Sequence, residues 1–254
     1  MEEGFGTERT NHRSKREEKI FRIFSSVAEK YDLMNDFMSF GMHRLWKQKF
    51  TAKVNLHNGV AILDSAAGSG DIGLNLVKRA KHLGINAHIT ITDVNAKMLQ
   101  KAIDRSIDKN YFHDLVFAQE DAQHLSFAND TFDYYIIAFG IRNVCNIELA
   151  LQEALRVLKP NGVFLCLEFA QCQHGAASKM YNSYKRHIIP RMGQCIAHDR
   201  EAYQYLVDSI DQFYNQEEFV QFLKEVGFID VVYENFTNGI CAAYQGKKSA
   251  QAQV

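Results

Sequence analysis

The chain has 254 residues, with 29 Lys and Arg against 30 Asp and Glu and a formal net charge of −1. That balance excludes a general nucleic-acid binder, whose affinity rests on an excess of basic side chains. No stretch has the apolar length needed to span a bilayer, and the five cysteines form no C-x-x-C pair and lack the His spacing of a zinc site, so no metal site is expected and reduced thiols in a cytosolic setting are.

Residues 1–18 are polar without a clear period and are expected to form a mobile arm; the acidic start has no apolar signal core, so neither secretion nor organelle import is indicated. Residues 19–246 are expected to make a single domain. Its first part, 19–58, reads as a helical lid: Ile20, Ile23, Phe24, Val27, Ala28 and Tyr31 recur at helical spacing, and a Met- and aromatic-rich run from Met34 to Trp46 follows. Strands are predicted near 60–64, 87–92, 114–118, 132–138 and 162–168, with helices near 71–82, 95–108 and 146–158. Lys159-Pro160-Asn161-Gly162 is expected to stop the last of these helices and turn the chain into the next strand. Residues 172–214 read as a largely helical insertion on the substrate side. Another helix is predicted over 216–226, stopped by Gly227, and two strands near 228–234 and 238–245 should lie antiparallel. Residues 247–254 are expected to be a frayed tail. Basic residues crowd two segments, Arg9, Arg13, Lys15, Arg16, Lys19 and Arg22, then Lys179, Lys185, Arg186 and Arg191. They read either as solvated helix faces or as a contact with an anionic membrane surface.

The βαβα rhythm predicts an α/β fold with a mostly parallel sheet covered on both faces. Its first turn carries the richest signal. Val60-Ala61-Ile62-Leu63-Asp64-Ser65-Ala66-Ala67-Gly68-Ser69-Gly70-Asp71-Ile72-Gly73 reads as a buried strand, a glycine turn and a helix start, the parts of a nucleotide cradle. By itself G-x-G-x-x-G suits a dinucleotide or S-adenosylmethionine (SAM) equally. Five parallel strands closed by a C-terminal antiparallel hairpin, however, match the Rossmann-like sheet of class I methyltransferases and not the six parallel strands of a dehydrogenase domain. Candidate SAM contacts are Gly68, Ser69 and Gly70 in the turn, Asp93 at the end of the second strand for the ribose hydroxyls, and Asp121 with Ala122 after the third strand for adenine. Each acid also has a plain structural reading as a cap or turn residue. Arg142 and Asn143 follow the fourth strand, where open α/β sheets bind ligands; Arg142 reads as an oxyanion partner or as a salt bridge pinning a loop. Asp71 reads as a contact to the cofactor ammonium or the substrate ring, or as a charge favouring the helix N-terminus.

Several segments then carry a specific resemblance: Phe139-Gly140-Ile141-Arg142-Asn143-Val144, Arg156-Val157-Leu158-Lys159-Pro160-Asn161-Gly162, Leu167-Glu168-Phe169, the stretch from Ser26 through Tyr31 to Lys47, and Tyr203-Gln204-Tyr205-Leu206-Val207-Asp208-Ser209-Ile210. Together they resemble the ubiquinone/menaquinone biosynthesis C-methyltransferases over about residues 20–246. The chain departs from that pattern at Ala67 and Asn161, where the family usually has Gly, and at Ala138, often Ser there.

The resemblance implies SAM as cofactor and methyl transfer to a ring carbon of a polyprenylated quinol, either demethylmenaquinol or a 2-methoxy-6-polyprenyl-1,4-benzoquinol. It implies Arg142 and Asn143 as the catalytic pair, Tyr31 and Asp71 on the substrate side, and a cytoplasmic enzyme that docks transiently on the membrane face. A homodimer and contact with other quinone-biosynthesis enzymes are implied on the same ground. His43, Glu168, His187 and Asp199 are candidates by type for the proton acceptor. Two rival readings are an NAD-type oxidoreductase and a catalytically silent methyltransferase-like scaffold.

Overall fold

The computed structural model describes residues 18, 20–23, 36, 39–171, 183–184 and 200–250. Among these, strands run over Ala61–Ser65 (β1), His88–Asp93 (β2), Leu115–Gln119 (β3), Phe132–Ala138 (β4), Leu158–Phe169 (β5), Ile229–Phe236 (β6) and Cys241–Lys247 (β7). Helices run over His43–Thr51 (α1), Asp71–Leu83 (α2), Ala96–Asp108 (α3), Ile147–Val157 (α4), Arg200–Gln212 (α5) and Gln216–Val226 (α6). The strands form one sheet in the order β3-β2-β1-β4-β5-β7-β6. The first five pair in parallel, while β7 is antiparallel to both β5 and β6. The class I methyltransferase sheet expected from the sequence is therefore present, with β7 as its one reversed strand among the described residues.

Side-chain alternation divides the core between the two faces. Ile62, Ile136, Leu165 and Leu167 pack with α1, α2, α3 and α5 on one side. Leu63, Tyr135, Ile137, Phe164 and Cys166 pack with α4 and α6 on the other. Burying each large aliphatic or aromatic side chain contributes about 1.5–3 kcal/mol, so the central strands, covered twice, carry most of the stability. Local signals set the helix ends. Asn95 accepts from the backbone N–H of Lys97 and Met98 to start α3, and Asn146 accepts from Leu149 to start α4. Asn215 and Glu218 form a reciprocal capping box on α6, which stops at Gly227 with φ 119°.

Two expectations need correction. Lys159-Pro160-Asn161-Gly162 does not precede β5 but bulges within it: Phe132 pairs with Leu158, and Tyr134 then pairs with Val163. Asn161 takes the left-handed conformation at φ 62°, and a Cβ on Gly162 would lie 2.7 Å from the Lys159 carbonyl oxygen. Nor does the chain fray at Lys247, which belongs to β7. Lys248 exchanges backbone hydrogen bonds with the bulge, and its Nζ donates to the carbonyls of Leu158 and Arg156 and to Asp130. The arm over residues 1–17, Tyr31 and residues 172–182 and 185–199 lie outside the described residues.

Gly73 shows how closely α2 sits on the sheet. A Cβ there would lie 2.5 Å from Ile91 Cδ1 and 2.7 Å from its Cγ1, and Ile91 is fully buried. Gly73→Ala should therefore destabilise the protein by about 1–3 kcal/mol through overpacking. Combined with Ile91→Val, it should cost less than the sum of the two single changes in a thermal or urea unfolding cycle.

Candidate active site

The polypeptide leaves β1 toward β2 and leaves β4 toward β5, so the carboxyl ends of β1 and β4 part and open a crevice. The backbone is strained on both lips: Ala66 has φ 49° and Phe139 has φ 57°. Gly140 completes the close approach, since a Cβ on it would lie 2.9 Å from the Ala66 Cβ. Glycine in place of Ala67 is not needed, because the positive φ falls on Ala66 instead.

One lip is the glycine turn. Gly68 and Gly70 adopt φ 58° and 78°, and Gly70 packs against Ala102, where a Cβ would approach to 2.9 Å. Asp93 at the end of β2 accepts from Gly68 N and from Asn95 N, each at 2.8 Å, so it fixes the turn directly. Asp64, in β1, is fully buried; its Oδ2 accepts from Gly73 N at 2.8 Å, while Oδ1 has no partner. Burial pushes the Asp64 carboxyl up to about 7 and the Asp93 carboxyl up to about 6. Asp71 is treated differently. Burial works to raise it, but Lys47 Nζ at 2.5 Å and Arg105 NH2 at 2.6 Å overcome this and hold it well below the usual carboxylate range. Arg105 also donates to the Ser69 carbonyl at 2.8 Å, tying α3 to the turn.

The other lip carries Arg142 and Asn143 in a 3-10 turn, Ile141–Asn143. Arg142 is 4% exposed. Its NH1 donates to the Phe139 carbonyl at 2.9 Å and to Glu168 Oε1, its guanidinium lies 5.5 Å from the Phe169 ring centre, and its buried Nε has no partner. Asn143 Nδ2 donates to the same Phe139 carbonyl at 3.3 Å, and its Oδ1 accepts from the Tyr205 hydroxyl at 3.2 Å. Lys47 links the lips, pairing with Asp71 while its Nζ lies 5.8 Å from the Phe139 ring centre.

The structure thus brings Gly68, Ser69, Gly70, Asp71 and Asp93 together as one cradle and sets Arg142 and Asn143 across from it. Asp121 Oδ1 accepts from the backbone N–H of Gln123 at 2.9 Å and from its side chain at 3.1 Å, an Asx turn, and Ala122 beside it is buried. Sequence reading missed Asp64, although an acid inside the apolar run Ala61-Ile62-Leu63 was a visible signal. It also missed Lys47 and Arg105, which reach Asp71 across separations that no local spacing reveals. A cavity of about 210 Å³ with Lys81, His88, His113 and Asp114 in its lining sits at the amino ends of β2 and β3, at the end of the sheet away from this crevice.

A nucleoside-bearing cation suits this cradle. Asp64 Oδ1 lacks a donor among the described residues, Gly68 and Gly70 in the turn carry no side chain, and three carboxylates (Asp64, Asp71, Asp93) face two cations (Lys47, Arg105). The raised carboxyls have a consequence for the unliganded protein. Folded Asp64 holds its proton to higher pH than the unfolded chain does, so its contribution is complete below about pH 4 and is lost as pH rises through about 7. Asp71 has the opposite sign and costs stability only as pH falls below about 4. Relative to Asp64→Asn, the wild type should lose on the order of a few kcal/mol of unfolding free energy between pH 5 and 8, measured by urea titration.

The chain matches a model of the ubiE/COQ5 methyltransferase family over residues 12–248. It is 50% identical over 227 residues to the ubiquinone/menaquinone biosynthesis C-methyltransferase UbiE of Rickettsia bellii, covering 89% of this chain and 91% of that protein. It is 47% identical over 245 residues to the protein of the same name from Rickettsia felis, covering 96% and 98%. In fold it is similar to a SAM-dependent methyltransferase from Thermotoga maritima, described as a possible histamine N-methyltransferase, with TM-score 0.62, 16% identity and coverage of 91% and 100%. It is also similar to the [4+2]-cyclase SpnF, with TM-score 0.62, 15% identity and coverage of 82% and 81%. Those two structures share the fold alone, and a cyclase among them means that fold does not decide chemistry. The family match spans nearly the whole chain, and on that ground this protein belongs to the ubiE/COQ5 methyltransferase family.

Proposed function

We propose that the protein transfers the methyl group of SAM to a ring carbon of a polyprenylated quinol in ubiquinone and menaquinone biosynthesis. The observation that carries this reading is the buried Arg142, set on the lip of the crevice opposite the glycine cradle with its Nε unpartnered. When bound, SAM supplies an electrophilic methyl on a sulfonium. The cradle at Gly68, Ser69 and Gly70 holds its amino-acid end, with Asp64 as a further anionic partner. Asp93 accepts from the ribose hydroxyls, and Asp121 with Ala122 meets adenine.

The chain's main task is then to make an aromatic carbon nucleophilic. A phenol ionises near pH ~10, so the site must favour the quinolate. Arg142 is permanently charged, which makes it a stabiliser of the oxyanion and not a base. Asn143 is held by Tyr205 and offers a second polar contact at the same oxygen. The proton leaves to a water or a side chain on the lid side. Of the candidates, Glu168 is committed to Arg142, and His43 Nε2 donates to the Asp36 carboxylate at 2.8 Å, with Nδ1 unpartnered among the described residues. Burial and the nearby Lys47 hold His43 below its ordinary value, leaving it neutral. The resemblance assigns Tyr31 to the substrate side, and Asp71 favours the α2 N-terminus by charge, since both its oxygens are engaged.

A dinucleotide suits this cradle less well, because its pyrophosphate would meet carboxylates where anion sites offer bare N–H groups. The silent-scaffold reading is disfavoured by the retained Asp93 and Arg142. No described helix is long and apolar enough to cross a membrane. A substrate with an isoprenoid tail partitions into the bilayer, so the proposal includes a cytoplasmic protein docking transiently through its basic segments, as a homodimer and near other quinone-pathway enzymes.

Labelled SAM with reduced short-tail demethylmenaquinol and 2-methoxy-6-polyprenyl-1,4-benzoquinol tests the reading. Methyl transfer to both rings is expected; tight SAM binding without transfer to either would refute the assigned acceptor. Arg142→Lys, which keeps Glu168 paired, should lower kcat about tenfold to a hundredfold with SAM affinity retained. Asp93→Asn should instead weaken SAM binding about tenfold or more in a titration.

A further inference from the structure

We infer that Glu168 is a positioning residue for Arg142: it fixes which edge of the guanidinium faces the substrate oxygen and tempers the positive charge delivered there. The inference rests on the quinol methyl-transfer reading above, in which Arg142 stabilises the oxyanion.

Glu168 is fully buried near the end of β5, and Arg142 is 4% exposed. Glu168 Oε1 accepts from Arg142 NH1 and from Phe169 N at 2.8 Å. Arg142 NH1 is held from a second side by the Phe139 carbonyl at 2.9 Å, and the guanidinium carbon lies 5.5 Å from the Phe169 ring centre. Two acceptors at NH1 and the ring beside it restrict how the guanidinium can turn, while its Nε has no acceptor among the described residues. Glu168 cannot reach the substrate itself. It has no exposed surface, and its oxygens are turned to Arg142 and to the strand backbone.

Among the described residues, charge around the pair is otherwise sparse. Cys166 on β5 and Tyr244 on β7 share the face of Glu168, Cys241 lies on the other face opposite Phe169, and burial pushes all three up, so they stay neutral. Lys47 approaches Phe139 but is matched by Asp71. Burial raises the Glu168 carboxyl and Arg142 opposes this, as expected for a buried pair whose charges are set by each other. Removing the negative charge while keeping the shape would leave Arg142 uncompensated and favour the quinolate more strongly. Keeping the charge but shortening the side chain would release the grip.

Two variants separate these effects: Glu168→Gln and Glu168→Asp are compared with wild type for quinol methylation against pH. Binding of the anion of 2-hydroxy-1,4-naphthoquinone in the presence of SAM and thermal unfolding are measured alongside. Glu168→Gln should move the acid limb of kcat, which reports ionisation of the bound quinol, down by about one pH unit and tighten anion binding about tenfold. Glu168→Asp should leave the limb in place and lower kcat about tenfold. Lower Tm in both variants, with limb, kcat and anion affinity unmoved, would overturn the inference and leave Glu168 a structural residue. A wild type that binds the anion yet methylates neither quinol sinks the acceptor assignment, and the anion affinities then decide on Glu168. A wild type that does neither overturns both.

Discussion

Three carboxylates crowd one glycine turn, and two cations are all that the described residues set against them. The rest of the site follows from that imbalance. Asp71 takes both Lys47 and Arg105 in direct ion pairs, leaving Asp64 and Asp93 hydrogen-bonded only by backbone N–H groups among the described residues. Burying carboxylates with so little compensation is costly, and the cost is recovered when a cation enters the cradle. A methyl donor that carries a sulfonium and an ammonium is such a cation; a pyrophosphate is not.

The same contacts join cofactor cradle and acceptor site into one unit. Lys47 extends from α1 to Asp71 and lies against Phe139, whose carbonyl holds both Arg142 and Asn143. α1 buries Trp46 edge-on against Phe169, the ring on which Arg142 rests. A shift of α1 is therefore felt at the glycine turn and at the guanidinium together. The strained backbone at Ala66 and Phe139 is tolerated because the sheet on either side is fully buried and holds the two lips at a fixed separation.

Much of this was legible in the chain. Periodicity placed the strands and helices of the parallel core, since doubly covered strands and amphipathic helices leave distinct patterns. The position of Asp93 was readable, because periodicity locates the end of β2; its hold on the Gly68 and Asn95 backbone was not. The bulge in β5 was not: Pro160 and Gly162 signal a turn, and only the pairing partner reveals that the strand had already begun at Leu158. Lys248 was read as tail because its partners, Asp130 and the β5 bulge, lie far away in sequence. For Arg142 the sequence left two roles open: the salt bridge is seen at Glu168, while the oxyanion role is a proposal supported by an Nε that has no acceptor among the described residues. The ion pairs of Asp71 with Lys47 and Arg105 were hidden for a similar reason, since long-range ion pairs carry no spacing signature.

Calorimetric titration of SAM and of NAD into the unliganded protein at pH 6.5, repeated in buffers of different ionisation enthalpy, tests the central claim most directly. The account predicts one SAM bound per chain, no NAD bound, and net proton release on binding as Asp64 and Asp93 ionise against the incoming positive charge. Binding of NAD in preference to SAM, or SAM binding with no proton release, would contradict it.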